Sequence, residues 1–166
     1  IVYHPSPELK PILSYYKKER HADWKTLIYL LLADRYNKVT EVISPALSKG
    51  EWVISLRSSL SALVYQAENK KDRTWIQKQF AHFEPVPDSM YYFDIDPKVA
   101  LSRIIRRHQT TGEALGSYET LDLLIEMRQR YLSLVQSIKC HCHTLDASLS
   151  IEQLHKEIFL TLKARP

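Results

Sequence analysis

Two apolar periodicities run along this chain, and the places where one gives way to the other mark its elements. Residues 1–4 are β-branched and aromatic and are cut off by Pro5-Ser6-Pro7, which predicts a short strand. Leu9, Ile12, Leu13 and Tyr16 recur at helical spacing and predict a helix over residues 8–20. A longer helix is predicted over residues 23–49, where Leu27, Leu30, Leu31, Asp34 and Arg35 set two charges beside an apolar face. Pro45 should kink or restart that helix, and Gly50 should stop it. Residues 51–55 predict a strand, Ser58 and Ser59 are candidate N-caps of a helix through Gln66, and residues 72–82 predict a further helix. Residues 90–95 are so continuously apolar that they read as a central strand. Asp96 as N-cap and Pro97 at the first helical position open a helix through Arg107. Residues 109–116 hold two of the chain's 3 glycines and read as a mobile loop, followed by a long helix over 117–138 and a last strand over 140–145. Ser150 and Gln153 form a capping box for the terminal helix.

Strands alternate with helices throughout, so the pattern predicts an α/β fold: three layers, α/β/α, around a mostly parallel sheet. With 166 residues the chain is expected to form one domain with a substantial core. A net charge of +4 and a pI near 9.0 suit an anionic ligand. No Lys/Arg run is interleaved with aromatics as a nucleic-acid interface requires, so no nucleic-acid partner is expected. Two cysteines, two positions apart, make no disulfide framework and point to a reducing, cytoplasmic setting. No apolar run reaches the roughly 18 residues of a membrane span, and no signal peptide is visible. The chain opens on Ile1 with residues that already read as a strand, so a fragment of a longer protein is expected.

The candidate chemistry gathers where the second strand runs out into a helix. Arg57 stands at that helix N-terminus, the end at which α/β proteins hold phosphates and other anions. A cation there opposes the helix dipole by about 0.3–1 kcal/mol unless an anion sits nearby. Arg35, four residues after Leu31, either serves the same site or pairs with a neighbouring carboxylate. The run Cys140-His141-Cys142-His143 resembles a metal site, but on a strand the cysteines face one way and the histidines the other, so four ligands cannot converge and no metal is expected. Asp94 and Asp96 flank a strand end and could hold a cation, although capping already accounts for Asp96. Tyr91, Tyr92 and Phe93 read as core.

Four ordered motifs give the chain a resemblance to thymidylate kinase, a nucleoside-monophosphate kinase with the P-loop fold. They are Ala33-Asp34-Arg35 followed by Ile43-Ser44-Pro45-Ala46-Leu47-Ser48-Lys49-Gly50; Val53-Ile54-Ser55-Leu56-Arg57-Ser58-Ser59-Leu60-Ser61 through Tyr65-Gln66; Pro87-Asp88 through Asp94, then Pro97, Val99, Ala100, Leu101 and Arg103; and Arg128-Gln129-Arg130-Tyr131. The resemblance implies transfer of the γ-phosphoryl of ATP to dTMP with Mg2+. It implies that Arg57 binds the monophosphate, that Arg35 sits by the pyrimidine ring, that Tyr65 packs on the sugar, and that Ser61 and Gln66 line the same pocket. Arg106 and Arg107 would be the catalytic cations, with residues 108–117 as a lid-like loop over ATP. The family is commonly dimeric through helices equivalent to 23–49, so a homodimer is expected.

The departures from the family are as specific. The Gly-x-x-x-x-Gly-Lys-Ser/Thr loop that cradles the ATP phosphates is missing, since the only glycines are Gly50, Gly112 and Gly116. A first strand, that loop and a helix would occupy about 30 residues, close to one βαβ unit, which points to truncation rather than decay. Leu56 stands where the family has an Asp before the phosphate-binding Arg, Leu31 where an aromatic stacks on thymine, and Gly116-Ser117 where an Asp/Arg pair opens the post-lid helix. The segment Tyr3-His4-Pro5-Ser6-Pro7 lacks the arginine of the family's monophosphate-binding turn. The resemblance therefore leaves a second reading: a non-catalytic nucleotide-binding or scaffold protein of the same fold. It also leaves a third, a kinase for another monophosphate.

Overall fold

A computed structural model of the chain describes residues 1–112, 119–138 and 140–163. The fold is α/β, as the alternation of elements predicts, and both strand pairings among the described residues are parallel. Contacts divide the chain into two compact units, Ile1–Val86 and Pro87–Pro166.

In the first unit, strand β1 (Val2–Tyr3) pairs with β2 (Ser55–Leu56), and the Val2 and His4 amides donate to the Ile54 and Leu56 carbonyls at 2.8 and 3.1 Å. The predicted strand over 51–55 is thus shifted toward its C-terminus, because only the residues facing the short β1 find a partner. Helix α1 spans Leu9–Lys18, and α2 spans Trp24–Lys38, capped by Asp23, whose carboxylate accepts from the Thr26 amide at 2.7 Å. The helix predicted to reach Lys49 does not run unbroken. A π-helical turn, Val39–Ile43, precedes α3 (Ser44–Ser48). Pro45 has no N–H for a normal helical bond, and the ladder slips by one residue just before it, with the Ser44 amide donating to the Val39 carbonyl. Gly50, at φ +74°, then ends the segment in the left-handed conformation that spares it a Cβ clash. Helices α4 (Ser59–Gln66) and α5 (Lys70–Ala81, capped by Asn69) complete the unit.

The apolar face of α2 lies one step from where the sequence pattern puts it. Ile28, Leu31, Leu32 and Arg35 are the buried positions, and Val39 and Ile43 continue the stripe, while Leu27 and Leu30 are only half-buried. In the run from Leu27 to Leu32 several phases fit a 3.6-residue period, and the partners decide between them: α2 lies against α4 and α5, and Ile28 of α2, Val64 of α4 and Ile76 of α5 are all fully buried.

In the second unit, β3 (Ser89–Asp94) and β4 (His141–Asp146) pair in parallel over six residues, from Ser89 opposite His141 to Asp94 opposite Asp146. β3 was expected to be central; among the described residues it has β4 on one edge only. Successive residues of β3 point to opposite faces. The Tyr91 hydroxyl lies 2.6 Å from that of Thr161 on α8 (Ile151–Lys163), whereas Tyr92 stacks on Tyr131 of α7 (Leu121–Val135) at 5.5 Å. This small sheet therefore has a helix on each face, the layering the pattern predicts. Tyr91 and Tyr92 are packed as expected, but Phe93 is 47% exposed. Asp96 caps α6 (Pro97–Thr111) through the Lys98 and Val99 amides, and Ser150 and Gln153 exchange both bonds of the capping box at 2.9 and 3.2 Å. α6 runs three residues into the predicted 109–116 loop and stops at Gly112, φ +70°. The remainder of the lid-like segment, including Gly116 and Ser117, lies outside the described residues.

Candidate functional site

The chain leaves β2 through Arg57, whose φ of +69° is left-handed. That conformation costs a residue with a β-carbon about 1–2 kcal/mol, so neighbouring contacts must hold it. The Ser55 hydroxyl donates to the Arg57 carbonyl at 3.0 Å. Beyond the turn, the Arg57 Nε donates to the Ser61 hydroxyl at 3.4 Å, and the guanidinium lies over the Tyr65 ring at 5.0 Å. Ser61 and Tyr65 are four apart on α4 and so share a face. Three predicted site residues are thus brought together at the start of one helix. Arg57 itself is exposed. Gln66 is the last residue of the same helix, one step round from Tyr65. Ser58 occupies the N-cap position as expected, but its side chain makes no capping bond. The first turn of α4 thus lacks the side-chain acceptor that usually closes a helix start.

Arg35 has the carboxylate partner that one of its two sequence readings expects. It is buried in the apolar stripe of α2, at 4% exposure, and pairs with Glu84: Nε donates at 2.9 Å and a terminal nitrogen lies 2.7 Å from the same oxygen, Oε1. Its other terminal nitrogen donates to the Ser55 hydroxyl at 3.0 Å. Glu84 was missed by sequence reasoning because it lies 49 positions from Arg35 and belongs to no motif. One signal was available: an arginine at helical spacing from Ile28, Leu31 and Leu32 needs a buried counter-charge.

His4, noted in the sequence only for the arginine it replaces, is also buried. Its Nδ1 lies 3.1 Å from Asp34 Oδ2, which the Ser6 amide also bonds at 3.0 Å. Burial first, and the Arg35 cation second, lower its pKa from 6.5 to about 4, against the upward pull of Asp34. His4 is accordingly neutral, and with its proton on Nδ1 facing Asp34, Nε2 is left as a bare acceptor. His4 Nε2 and Glu84 Oε2 are both buried without a hydrogen-bond partner among the described residues. Leu31 is also buried, whereas Leu56 is 45% exposed.

The second unit holds the other predicted cations. Arg106 is exposed on α6. Arg107 donates to Glu119 Oε1 at 2.6 Å, and His108 Nε2 lies 3.0 Å from Glu119 Oε2. One carboxylate thereby holds two successive side chains near the end of α6. At the carboxyl ends of β3 and β4 is a cleft of about 370 Å³ lined by Asp94, Asp96, Arg128 and Asp146 among others. Its carboxylates are engaged by protein groups. Arg128 grips Asp94 through two nitrogens at 2.8 and 2.7 Å, Asp96 caps α6, and Asp146 accepts from the Ser148 amide at 2.8 Å. The cation reading of Asp94 and Asp96 gains nothing from this arrangement. Among the described residues no three of His, Cys, Asp and Glu are placed to hold a metal, and His143 stacks on Tyr91 instead.

The Arg128 bonds are the largest influence on Asp94 and hold its carboxyl below the usual 3.8. A depressed carboxylate stabilises the fold above its ordinary pKa and loses that contribution as pH falls through the folded value. Asp94→Asn is therefore expected to cost about 1–2 kcal/mol at neutral pH and nearly nothing in strong acid. Urea unfolding at both pH values checks this, and an equal cost at both would refute it.

These features define a class: an α/β protein with parallel strand pairs, presenting a cation at a helix start where an anion can be held. Comparison with known proteins narrows it. The sequence model of the thymidylate kinase family matches residues 9–158. A thymidylate kinase of Vibrio vulnificus is 37% identical over 143 residues, 83% of this chain and 65% of its own length. A probable thymidylate kinase of Methanococcoides burtonii is 31% identical over 136 residues, covering 79% and 65%. A thymidylate kinase of Ligilactobacillus salivarius is 30% identical over 148 residues, covering 87% and 70%. The chain belongs to the thymidylate kinase family. It spans about two thirds of the length of these relatives, and their names lend no support to the non-catalytic scaffold alternative. Among the described residues no helix is long and apolar enough to cross a membrane.

Proposed function

We propose that this chain provides the acceptor-holding part of a thymidylate kinase, the part that binds dTMP for phosphorylation to dTDP at the expense of ATP. The observation that carries the reading is the exposed Arg57 cation at the start of α4, steadied by Ser61 and Tyr65. A dianionic phosphate placed there would relieve the repulsion between that cation and the helix dipole. Arg57 binds the phosphate, Tyr65 packs on the sugar, and Ser61 and Gln66 line the pocket. Arg35, tied to Glu84, supports the site from beneath rather than reaching into solvent. Arg106 and Arg107 serve the charge that develops on the transferred group, with Arg107 exchanging Glu119 for phosphate oxygens.

ATP and Mg2+ are the cofactors that family membership implies. The residues of this chain do not by themselves fit them. The sequence carries no Gly-x-x-x-x-Gly-Lys-Ser/Thr loop, Leu56 offers no carboxylate, and no metal-ligand cluster occurs among the described residues. The contribution assigned to this chain is accordingly to bind, orient and neutralise the acceptor. The family match runs through both units, from residue 9 to 158, which favours a single thymidylate-kinase-like domain. Exposed Tyr29 and Tyr36 on α2 favour pairing of two copies along that helix. A cytoplasmic location fits two cysteines that form no disulfide.

Arg57→Ala is expected to weaken dTMP binding about 10- to 100-fold, the worth of hydrogen bonds to a charged group, while leaving the circular dichroism spectrum unchanged. Isothermal titration calorimetry reads this directly. Equal binding by the variant would remove Arg57 from the site. Parallel titrations with dCMP, UMP and dGMP address the acceptor, because Leu31 does not supply the aromatic that the family stacks on thymine. Preference for another monophosphate would reassign the substrate without moving the site.

A further inference from the structure

We propose that Ser55 and Glu84 are positioning residues for Arg57, acting through a one-way relay of hydrogen bonds that runs from Glu84 to Arg35 to Ser55 to the Arg57 carbonyl. The proposal rests on the reading that Arg57 binds the acceptor's phosphate.

The polarity of the relay follows from the groups in it. An arginine can only donate. Its terminal nitrogen 3.0 Å from the Ser55 hydroxyl therefore makes that oxygen an acceptor. A hydroxyl has a single proton, and here it is directed to the Arg57 carbonyl at 3.0 Å. Arg35 can hold this orientation because Glu84 fixes it from behind, at 2.9 Å to Nε and 2.7 Å to a terminal nitrogen. Both charged side chains are buried, at 4% and 9% exposure, so water competes little with the bonds between them.

What the relay grips is the one residue of the site with strained backbone. Arg57 stands at φ +69° with no glycine to relieve it. Its carbonyl is pinned by Ser55 while its side chain is directed over Tyr65. If the carbonyl is released, the residue can relax toward an ordinary φ, and the guanidinium leaves the mouth of α4. Ser55 thus sets where Arg57 emerges without touching a ligand, and Glu84 keeps Ser55 correctly polarised.

The test is a set of variants in the full chain, read two ways. The first readout is calorimetric titration with dTMP. Ser55→Ala is expected to weaken binding about five- to tenfold, the worth of one hydrogen bond. Ser55→Thr, which keeps the hydroxyl, should remain close to wild type. Ser55→Ala combined with Arg57→Ala should bind no worse than Arg57→Ala alone, because Ser55 acts only through Arg57. Glu84→Gln, which keeps the shape and removes the charge, should fall between wild type and Ser55→Ala. Full additivity of the Ser55 and Arg57 losses, or wild-type binding by Ser55→Ala, would overturn the relay. The second readout needs no ligand. The Arg57 side-chain protons lie over the Tyr65 ring and should carry a ring-current shift in the proton NMR spectrum. Ser55→Ala should abolish that shift and Ser55→Thr keep it; an unchanged shift in Ser55→Ala would refute the proposal. A folded wild-type chain that binds no dTMP would defeat the functional reading alone, and the NMR readout would still decide the relay.

Discussion

Glu84→Ala is expected to remove about 3–5 kcal/mol of stability, the usual cost of stranding one partner of a buried ion pair. The variant would leave the Arg35 guanidinium in the apolar stripe of Ile28, Leu31 and Leu32 with the Ser55 hydroxyl as its remaining bonded partner among the contacts described. Folded domains typically have only about 5–15 kcal/mol in hand, so urea unfolding should show a midpoint far below that of the wild-type chain. The expectation has a converse. Replacing both charges together, Arg35→Met with Glu84→Leu, should recover most of the loss, because apolar groups of similar volume carry no desolvation penalty. Such a double variant would be stable while losing the grip on Ser55, which separates the fold from the site. A cost below about 1 kcal/mol for Glu84→Ala, the range of exposed pairs, would show that water reaches Arg35 and that the pair is not the structural centre described here.

The second large effect is a loss of stability in mild acid that comes from His4. Its pKa is 6.5 when unfolded and about 4 in the fold, lowered first by burial and then by Arg35 and Arg57, with Asp34 opposing. Between those values the unfolded chain binds a proton that the folded chain refuses, so stability rises with pH across the interval. The contribution is complete above 6.5 and is lost progressively as pH falls toward about 4. At about 1.4 kcal/mol per pH unit, the interval corresponds to as much as about 3 kcal/mol. Asparagine at this position can still donate to Asp34 but does not titrate. His4→Asn should therefore flatten the dependence of unfolding free energy on pH over this interval, whatever it does to stability at neutral pH. A flat profile for the wild-type chain would mean that His4 is solvated or already paired through both nitrogens.

Those two residues also show where the sequence was legible and where it was not. Local chemistry was read well. Asp96-Pro97 opens a helix, the Ser150–Gln153 box closes on itself, and Asp23 starts α2, because each depends on neighbours within one helical turn. The parallel α/β class followed from alternation alone. Non-local pairing was not legible. The carboxylate partner of Arg35 proves to be Glu84, 49 positions away, which no local pattern could name. The phase of α2 was ambiguous for the same reason, since a run of leucines offers several faces and the partners select one. The strand over 51–55 came out shifted, and β3 has one neighbour among the described residues, because pairing depends on what lies alongside rather than on composition. The site divides likewise. Arg57, Ser61 and Tyr65 belong to one motif and lie side by side in the structure, whereas the contacts of Arg35 with Glu84 and Ser55, and of His4 with Asp34, join positions too far apart for any spacing to reveal.

Arg128 and Tyr131, at the two ends of the fourth motif, both meet β3. Their spacing on α7 puts Arg128 on Asp94 and Tyr131 on Tyr92, so this fourth motif fastens α7 to β3. Both ends of this motif thus carry a packing task.

Calorimetric titration of the folded chain with dTMP beside thymidine would show whether Arg57 and α4 hold a phosphate. Saturable binding of dTMP is expected, with most of the affinity absent for thymidine, if the phosphate is what Arg57 and the first turn of α4 hold. A chain that is folded by circular dichroism yet binds dTMP no better than thymidine would contradict that expectation.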